Sequence, residues 1–202
     1  MSDRLAEARE AVRVTAVAMA TAGLATGSSG NVSARFGEHI LITASGVPYA
    51  KIEADQVIEI DMGGRRLSGL GEPSSEWRMH IAIYEARPGV EAIVHTHSPM
   101  ATAAAIALGS LPVPHDEGKI LFGDAIPVSV HRDPGTRDLA DAVVSALGDG
   151  SAALIAKHGA VAVGATLDAA LERVIKIEET AHLFYLAKQY GRVLDSHDGS
   201  SV

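Results

Sequence analysis

Two strand-like runs, Val32 to Phe36 and Ile40 to Thr43, are separated only by a turn at Gly37-Glu38. So short a connection closes a hairpin, because a parallel neighbour needs a crossover of a dozen residues or more. The pattern returns at Gly63-Gly64, where Val57 to Ile60 is expected to pair back with Arg66 to Ser68. It returns again at His158-Gly159, between Ala152 to Ala156 and Val161 to Val163. Further strands are expected at Ala92 to His97 and Ile126 to Val130. Between them lie segments of helical period: Asp3 to Ala22, Pro73 to Ala86, Pro99 to Leu108, Thr136 to Leu147 and Leu167 to Tyr190. Strands interleaved with helices give the α/β class, and the hairpins make the pairing at least partly antiparallel. No linker or repeat divides the chain, so one domain is expected over residues 1–202, with a polar, loose tail at 195–202.

The chain is long enough, at 202 residues, to bury one core. Aromatic residues are few, so Ala, Val, Ile and Leu must build it. With 17 Lys and Arg against 25 Asp and Glu, the formal charge is 17 − 25 = −8, a poor basis for holding nucleic acid or an anionic membrane. There is no cysteine, which excludes disulfides, thiolate metal sites and a cysteine nucleophile. The opening Met1-Ser2-Asp3-Arg4 leads into no long apolar stretch, and the run Ala101 to Leu108 is too short to span a bilayer. A cytoplasmic protein is expected.

His95 and His97 stand two apart in Ile93-Val94-His95-Thr96-His97. Residues two apart on a strand share a face, so two imidazoles project together from one strand end. His158 ends another expected strand. Three neutral imidazoles from two strand ends would hold a cation through nitrogen and leave positions open, as a catalytic zinc requires. Taken singly, each of these histidines is more simply a solvated or hydrogen-bonded residue.

Three segments rich in small residues can offer backbone amides and hydroxyls to a phosphate: Gly30-Asn31, Ser45-Gly46 and Ser74-Ser75. The last is expected to open a helix, where free amides favour an anion. None is a Walker or dinucleotide fingerprint. Lys51, Lys119 and Lys157 could in principle form a Schiff base, but read more simply as solvated surface residues.

Taken in order, Gly30-Asn31-Val32-Ser33, Leu41-Ile42-Thr43 with Ser45-Gly46-Val47-Pro48-Tyr49, Pro73-Ser74-Ser75-Glu76-Trp77-Arg78, Val94-His95-Thr96-His97 and Lys157-His158-Gly159 resemble the class II aldolase/adducin family, of the L-fuculose-phosphate aldolase type. The likeness runs from about Ala6 to Tyr190. It implies a three-layer α/β/α fold with a central, mainly antiparallel sheet, and a homotetramer with active sites at subunit interfaces. By motif position it implies His95, His97 and His158 as ligands of Zn2+ (Mn2+ or Co2+ suit the same donors), with Glu76 as the acid/base that can also approach the metal in the substrate-free state. Gly30, Asn31, Ser45, Gly46, Ser74 and Ser75 would form the phosphate pocket. The implied reaction is reversible cleavage of a ketose 1-phosphate, such as L-fuculose 1-phosphate or a related deoxy-ketose 1-phosphate. The products would be dihydroxyacetone phosphate and an aldehyde such as L-lactaldehyde, formed through a metal-stabilised enediolate.

The chain departs from the family pattern at two places. In Pro112-Val113-Pro114-His115-Asp116-Glu117-Gly118, Asp116 stands where the family places a tyrosine that protonates the aldehyde oxygen, so Asp116, His115 or Glu117 would have to serve. The tail has no aromatic residue. Epimerases, decarboxylases and dehydratases of the same superfamily share the metal site. The epimerases carry aspartate at the Glu76 position, which favours the aldolase here. An adducin-head-like scaffold would dispense with the four residues that this chain keeps.

Overall fold

Hairpins govern the sheet that forms, as the short turns require. The computed structural model describes residues 2–191, and the expectation for the 195–202 tail lies outside them. In chain order the elements are α1 (Ser2–Thr21), β1 (Asn31–Phe36), β2 (His39–Thr43), β3 (Val57–Ile60), β4 (Arg66–Ser68), α2 (Trp77–Ala86), β5 (Ala92–Thr96), α3 (Pro99–Ala107), β6 (Ser110–Pro112), α4 (Asp116–Phe122), β7 (Ala125–Pro127), α5 (Arg137–Leu147), β8 (Ala152–Ile155), β9 (Gly159–Gly164) and α6 (Leu167–Gln189). Seven strands make one sheet in the order β4-β3-β2-β1-β5-β9-β8, and β6 pairs with β7 apart from it. Every neighbouring pair in the large sheet is antiparallel.

Side chains alternate between two apolar layers. Val32, Leu41, Val94, Leu154 and Ala162 pack with Val12 and Ala16 of α1, Ala101 of α3 and Val174 and Ile177 of α6. Ile40, Ile42, Ile93, Ile155 and Val161 pack with Met79 and Ile83 of α2 and Leu139 and Val143 of α5. The result is a three-layer α/β/α arrangement. Burial on both faces explains why Ala92-Ile93-Val94 shows no polar alternation. Each fully buried Val, Leu, Ile or Met among them contributes about 1.5–3 kcal/mol by leaving water.

Two expectations are corrected, and one segment without an expected element gains structure. The helix expected from Pro73 starts at Trp77, because the preceding residues extend the sheet edge: Pro73 bridges to Ala44, and the Ser74 amide donates to the Thr43 carbonyl at 3.0 Å. The segment Pro112 to Gly118, for which no element was expected, contains the end of β6 and the start of α4. His115 caps α4, its Nδ1 accepting from the Gly118 amide at 3.2 Å. The strand expected over Ile126 to Val130 is shorter, with Val128 making only an isolated parallel bridge to Leu154. No helix among the described residues is long and apolar enough to cross a membrane.

The register around β5 sets the neighbours of its C-terminal end. Asn31 of β1 lies opposite His95, and Thr96 lies opposite Ala160 of β9. A Cβ on Gly159 would stand 2.0 Å from the Thr96 carbonyl oxygen, and one on Gly30 2.5 Å from that of His95. Glycine on both flanks therefore lets the neighbouring backbones close on the end of β5.

Candidate metal centre

His95 shares the parity of Ile93, so its ring emerges on the α2 side of the sheet, and His97 follows just beyond the strand. His158 comes from the tight β8–β9 turn, which closes with its amide donating to the Ile155 carbonyl at 2.9 Å and with Lys157 at φ 61°. Glu76 sits at the N-cap of α2, facing the same point. The three imidazole centroids lie 4.6–4.9 Å apart. The His97 Nε2 is 3.0 Å from that of His95 and 2.9 Å from that of His158. Glu76 Oε2 is 3.0 Å from His95 Nε2, and Oε1 is 3.3 Å from His158 Nε2. One ligand atom from each of the four residues lies within 4.8 Å of the others.

This donor set fits a divalent cation. Four ligand atoms at ~2.0–2.1 Å around a tetrahedral ion stand roughly 3.3 Å apart. His95 Nδ1 contacts the Ala160 carbonyl at 2.9 Å, an acceptor, so Nδ1 carries the proton and Nε2 turns its lone pair inward. Among the described residues, the two buried side-chain atoms without a hydrogen-bond partner, Glu76 Oε1 and His158 Nδ1, both belong to this cluster. The protonation states of Glu76, His97 and His158 agree with ligation. Burial opposes ionisation of Glu76, but His95 and His158 outweigh it and hold the carboxyl far below its ordinary range. Burial, reinforced by the neighbouring rings, lowers His97 and His158 to about 4, so both are neutral at pH 7. His95 is also disfavoured by burial as a cation, yet Glu76 beside it raises its pKa above the ordinary value.

The cluster opens into a cleft of about 360 Å³ lined by Ser75, Glu76, His97, His158, Lys157, His131 and Arg132, among others. Of the six expected phosphate residues, Ser75 lines this cleft. Ser45 and Gly46 are exposed, and the Ser45 amide donates to the Glu72 carbonyl at 2.9 Å. Ser74 is buried, with its Oγ accepting from the Glu76 amide at 3.3 Å. Gly30 is buried beside β5, and Tyr49 donates to its carbonyl. Asn31 is also buried, its Nδ2 donating to Glu76 Oε2 at 3.0 Å. Asp116 is exposed in the first turn of α4 and does not line the cleft. His115 spends both nitrogens within the fold, with Nε2 on Thr180 at 2.9 Å, and Glu117 pairs with Lys176 at 2.7 Å.

The chain matches the model of the class II aldolase and adducin N-terminal domain over residues 10–185. It belongs to this family. Among its relatives, an L-fuculose phosphate aldolase of Escherichia coli (strain K12) is 37% identical over 170 residues, covering 84% of this chain and 79% of the relative. A 5-methylthioribulose-1-phosphate/5-deoxyribulose-1-phosphate aldolase of Rhodospirillum rubrum is 37% identical over 174 residues, covering 86% and 76%. The solved structure of an L-fuculose 1-phosphate aldolase superposes with a TM-score of 0.88 at 29% identity, covering 92% of this chain and 88% of its own.

Within this class II aldolase/adducin chain, motif reading gave no role to three buried residues, Ser33, His80 and Tyr84, which lie behind Glu76. A signal for them was present. Glu76, His80 and Tyr84 recur every four residues, and Asn31 and Ser33 are two apart on a strand.

Proposed function

We propose that this class II aldolase reversibly cleaves a ketose 1-phosphate, L-fuculose 1-phosphate or a related deoxy-ketose 1-phosphate, to dihydroxyacetone phosphate and a short aldehyde. The observation that carries the reading is the convergence of three imidazoles and one ionised carboxylate at the floor of a cleft. Its volume suits a small phosphorylated sugar.

His95, His97 and His158 would hold the metal, for which zinc is the choice best matched to three neutral nitrogens. When bound, the metal supplies a Lewis acid that stabilises negative charge on the substrate's carbonyl oxygen. Glu76 is held ionised, and one of its oxygens, Oε1, lacks a hydrogen-bond partner. That oxygen is suited to carry the proton to or from the carbon at which the bond forms or breaks. Ser75 at the cleft edge supports the phosphate role, while Gly30, Asn31, Ser45, Gly46 and Ser74 are proposed to share it from outside the cleft lining. Asp116 does not line its own chain's cleft, so a part in protonating the aldehyde oxygen requires it to reach the cleft of a neighbouring subunit. Exposed apolar side chains along α6, including Leu183, Tyr185 and Leu186, favour self-association, and a homotetramer is the form proposed.

The test is a panel of ketose 1-phosphates with coupled detection of dihydroxyacetone phosphate, run beside light scattering for the oligomer. Release of dihydroxyacetone phosphate from at least one deoxy-ketose 1-phosphate is expected. Carbon dioxide, water loss or epimer formation without it would overturn the aldolase reading.

A further inference from the structure

Behind the carboxylate lies a line of buried polar side chains that the cleavage reaction does not itself require. Asn31, Ser33 and His80 are buried, as is Tyr84. Asn31 Nδ2 lies 3.0 Å from Glu76 Oε2, and Asn31 Oδ1 meets His80 Nε2. His80 Nδ1 lies 2.6 Å from Ser33 Oγ, which lies 2.8 Å from Tyr84 Oη.

The direction of every hydrogen bond in this line is set from its carboxylate end. An ionised carboxylate only accepts, so Asn31 must present its NH2 to Glu76 and its carbonyl oxygen to His80. His80 must then carry its proton on Nε2. Burial, and behind it His95, lowers its pKa to about 3, so the ring is neutral and Nδ1 is a bare acceptor. Ser33 therefore donates to Nδ1 and accepts from Tyr84. Each donor has one acceptor, and the chain runs from Tyr84 to Glu76 without a break.

We propose that His80 is a positioning residue which, through Asn31, anchors Oε2 of Glu76 and so presents Oε1 to the reacting carbon. The inference rests on the aldolase reading. An unanchored carboxylate could rotate about its last bond, and misplacement on the order of 1 Å costs about 100-fold in such geometries.

The decisive experiment uses the metal-loaded enzyme. His80→Leu removes the donor to Asn31 and should lower kcat about 10- to 100-fold, with KM and metal content near those of the parent. His80→Gln, whose amide can donate to Asn31, should recover most of that loss. Exchange of the dihydroxyacetone phosphate C–H proton with solvent then isolates the proton step. In a Glu76→Gln background, His80→Leu should cost nothing further. Equal losses in both backgrounds, no rescue by glutamine, or full kcat in folded His80→Leu would overturn the proposal. Should the leucine variant not fold, nitrogen-15 spectra of the parent still decide. They should report His80 as neutral and Nε2-protonated from about pH 5 to 8, where an ordinary histidine titrates. An Nδ1-protonated or titrating ring would refute the relay. Failure of the parent to release dihydroxyacetone phosphate from any ketose 1-phosphate would instead remove the aldolase reading, and the imidazole spectrum would still judge the relay.

Discussion

The inner floor of the cleft and its outer wall are built on opposite principles. On the floor, His95 and Glu76 are buried at the ends of regular elements, and each is held by at least one fixed partner. On the wall, His131, Arg132 and Lys157 are exposed and come from loops, and the guanidinium of Arg132 reaches only as far as the adjacent His131 carbonyl, at 2.8 Å. Strand ends and a helix cap give groups fixed to within a fraction of an ångström, which bond-making demands. Exposed loop side chains give adjustable charge, which serves attraction and choice among substrates. The contrast assigns chemistry to the floor and affinity to the wall, and each assignment can be broken separately.

The largest effect should come from the floor. Glu76→Gln keeps shape while removing the ionisable oxygen, and should lower kcat by roughly 10²–10⁴-fold, the range for losing a general acid/base. Metal analysis of the same sample should show the ion retained. Near-normal turnover would take the proton-handling role away from Glu76.

Next comes the backbone that supports the floor. Gly159→Ala places a Cβ 2.0 Å from the Thr96 carbonyl oxygen, within the strand pair that aligns His158 with His95. Neither backbone can yield cheaply, so a loss of about 2–4 kcal/mol in unfolding free energy is expected from denaturant titration. Gly109→Ala, whose added Cβ would meet nothing within 4 Å, is the matched control and should change little. Comparable losses in the two variants would mean that the close approach at Thr96 is not what fixes the site.

A smaller effect should follow from removing the cation. Ligand linkage at a hundredfold excess over Kd is worth about 2.7 kcal/mol, so chelation should lower Tm by several degrees, and added zinc should restore it. His95→Ala should abolish both the metal content and this response, while Arg132→Ala should leave them intact. A chelator-insensitive Tm in the parent enzyme would speak against a bound ion.

How much of this was open to sequence reading divides along the same line. Hairpins and helices were legible because period and turn length are local properties, and His95 and His97 because His-x-His on a strand forces two rings to one side, whereas Glu76 joined the histidines only through the family resemblance. The start of α2 was misplaced because Pro73 and Ser74 look like helix openers. Only tertiary pairing with Thr43 and Ala44 makes them an extension of the sheet. β6 and α4 were hidden because each is short and the segment joining them, Val113 to His115, carries a proline and the histidine cap. The His80 line was hidden for a different reason. A polar residue in the middle of an amphipathic helix reads as solvent-facing until the register of β1 sets Asn31 and Ser33 against it.

The smallest effect should come from the wall, and it tests the comparison most sharply. Arg132 lines the cleft but is exposed, so its charge acts through a screened medium. Interactions of this kind are worth about 1 kcal/mol or less, which corresponds to a rise in KM of about fivefold for Arg132→Ala. The number of reacting molecules per bound complex should stay the same, so kcat should be unchanged. If attraction of an anionic substrate is the cause, the gap in KM between parent and variant should shrink as salt rises, because screening already reaches ~8 Å at physiological ionic strength. A fall in kcat with KM unmoved would place Arg132 among the groups that act on the transition state. The division between a fixed floor and an adjustable wall would then fail at the residue where it is most exposed to test.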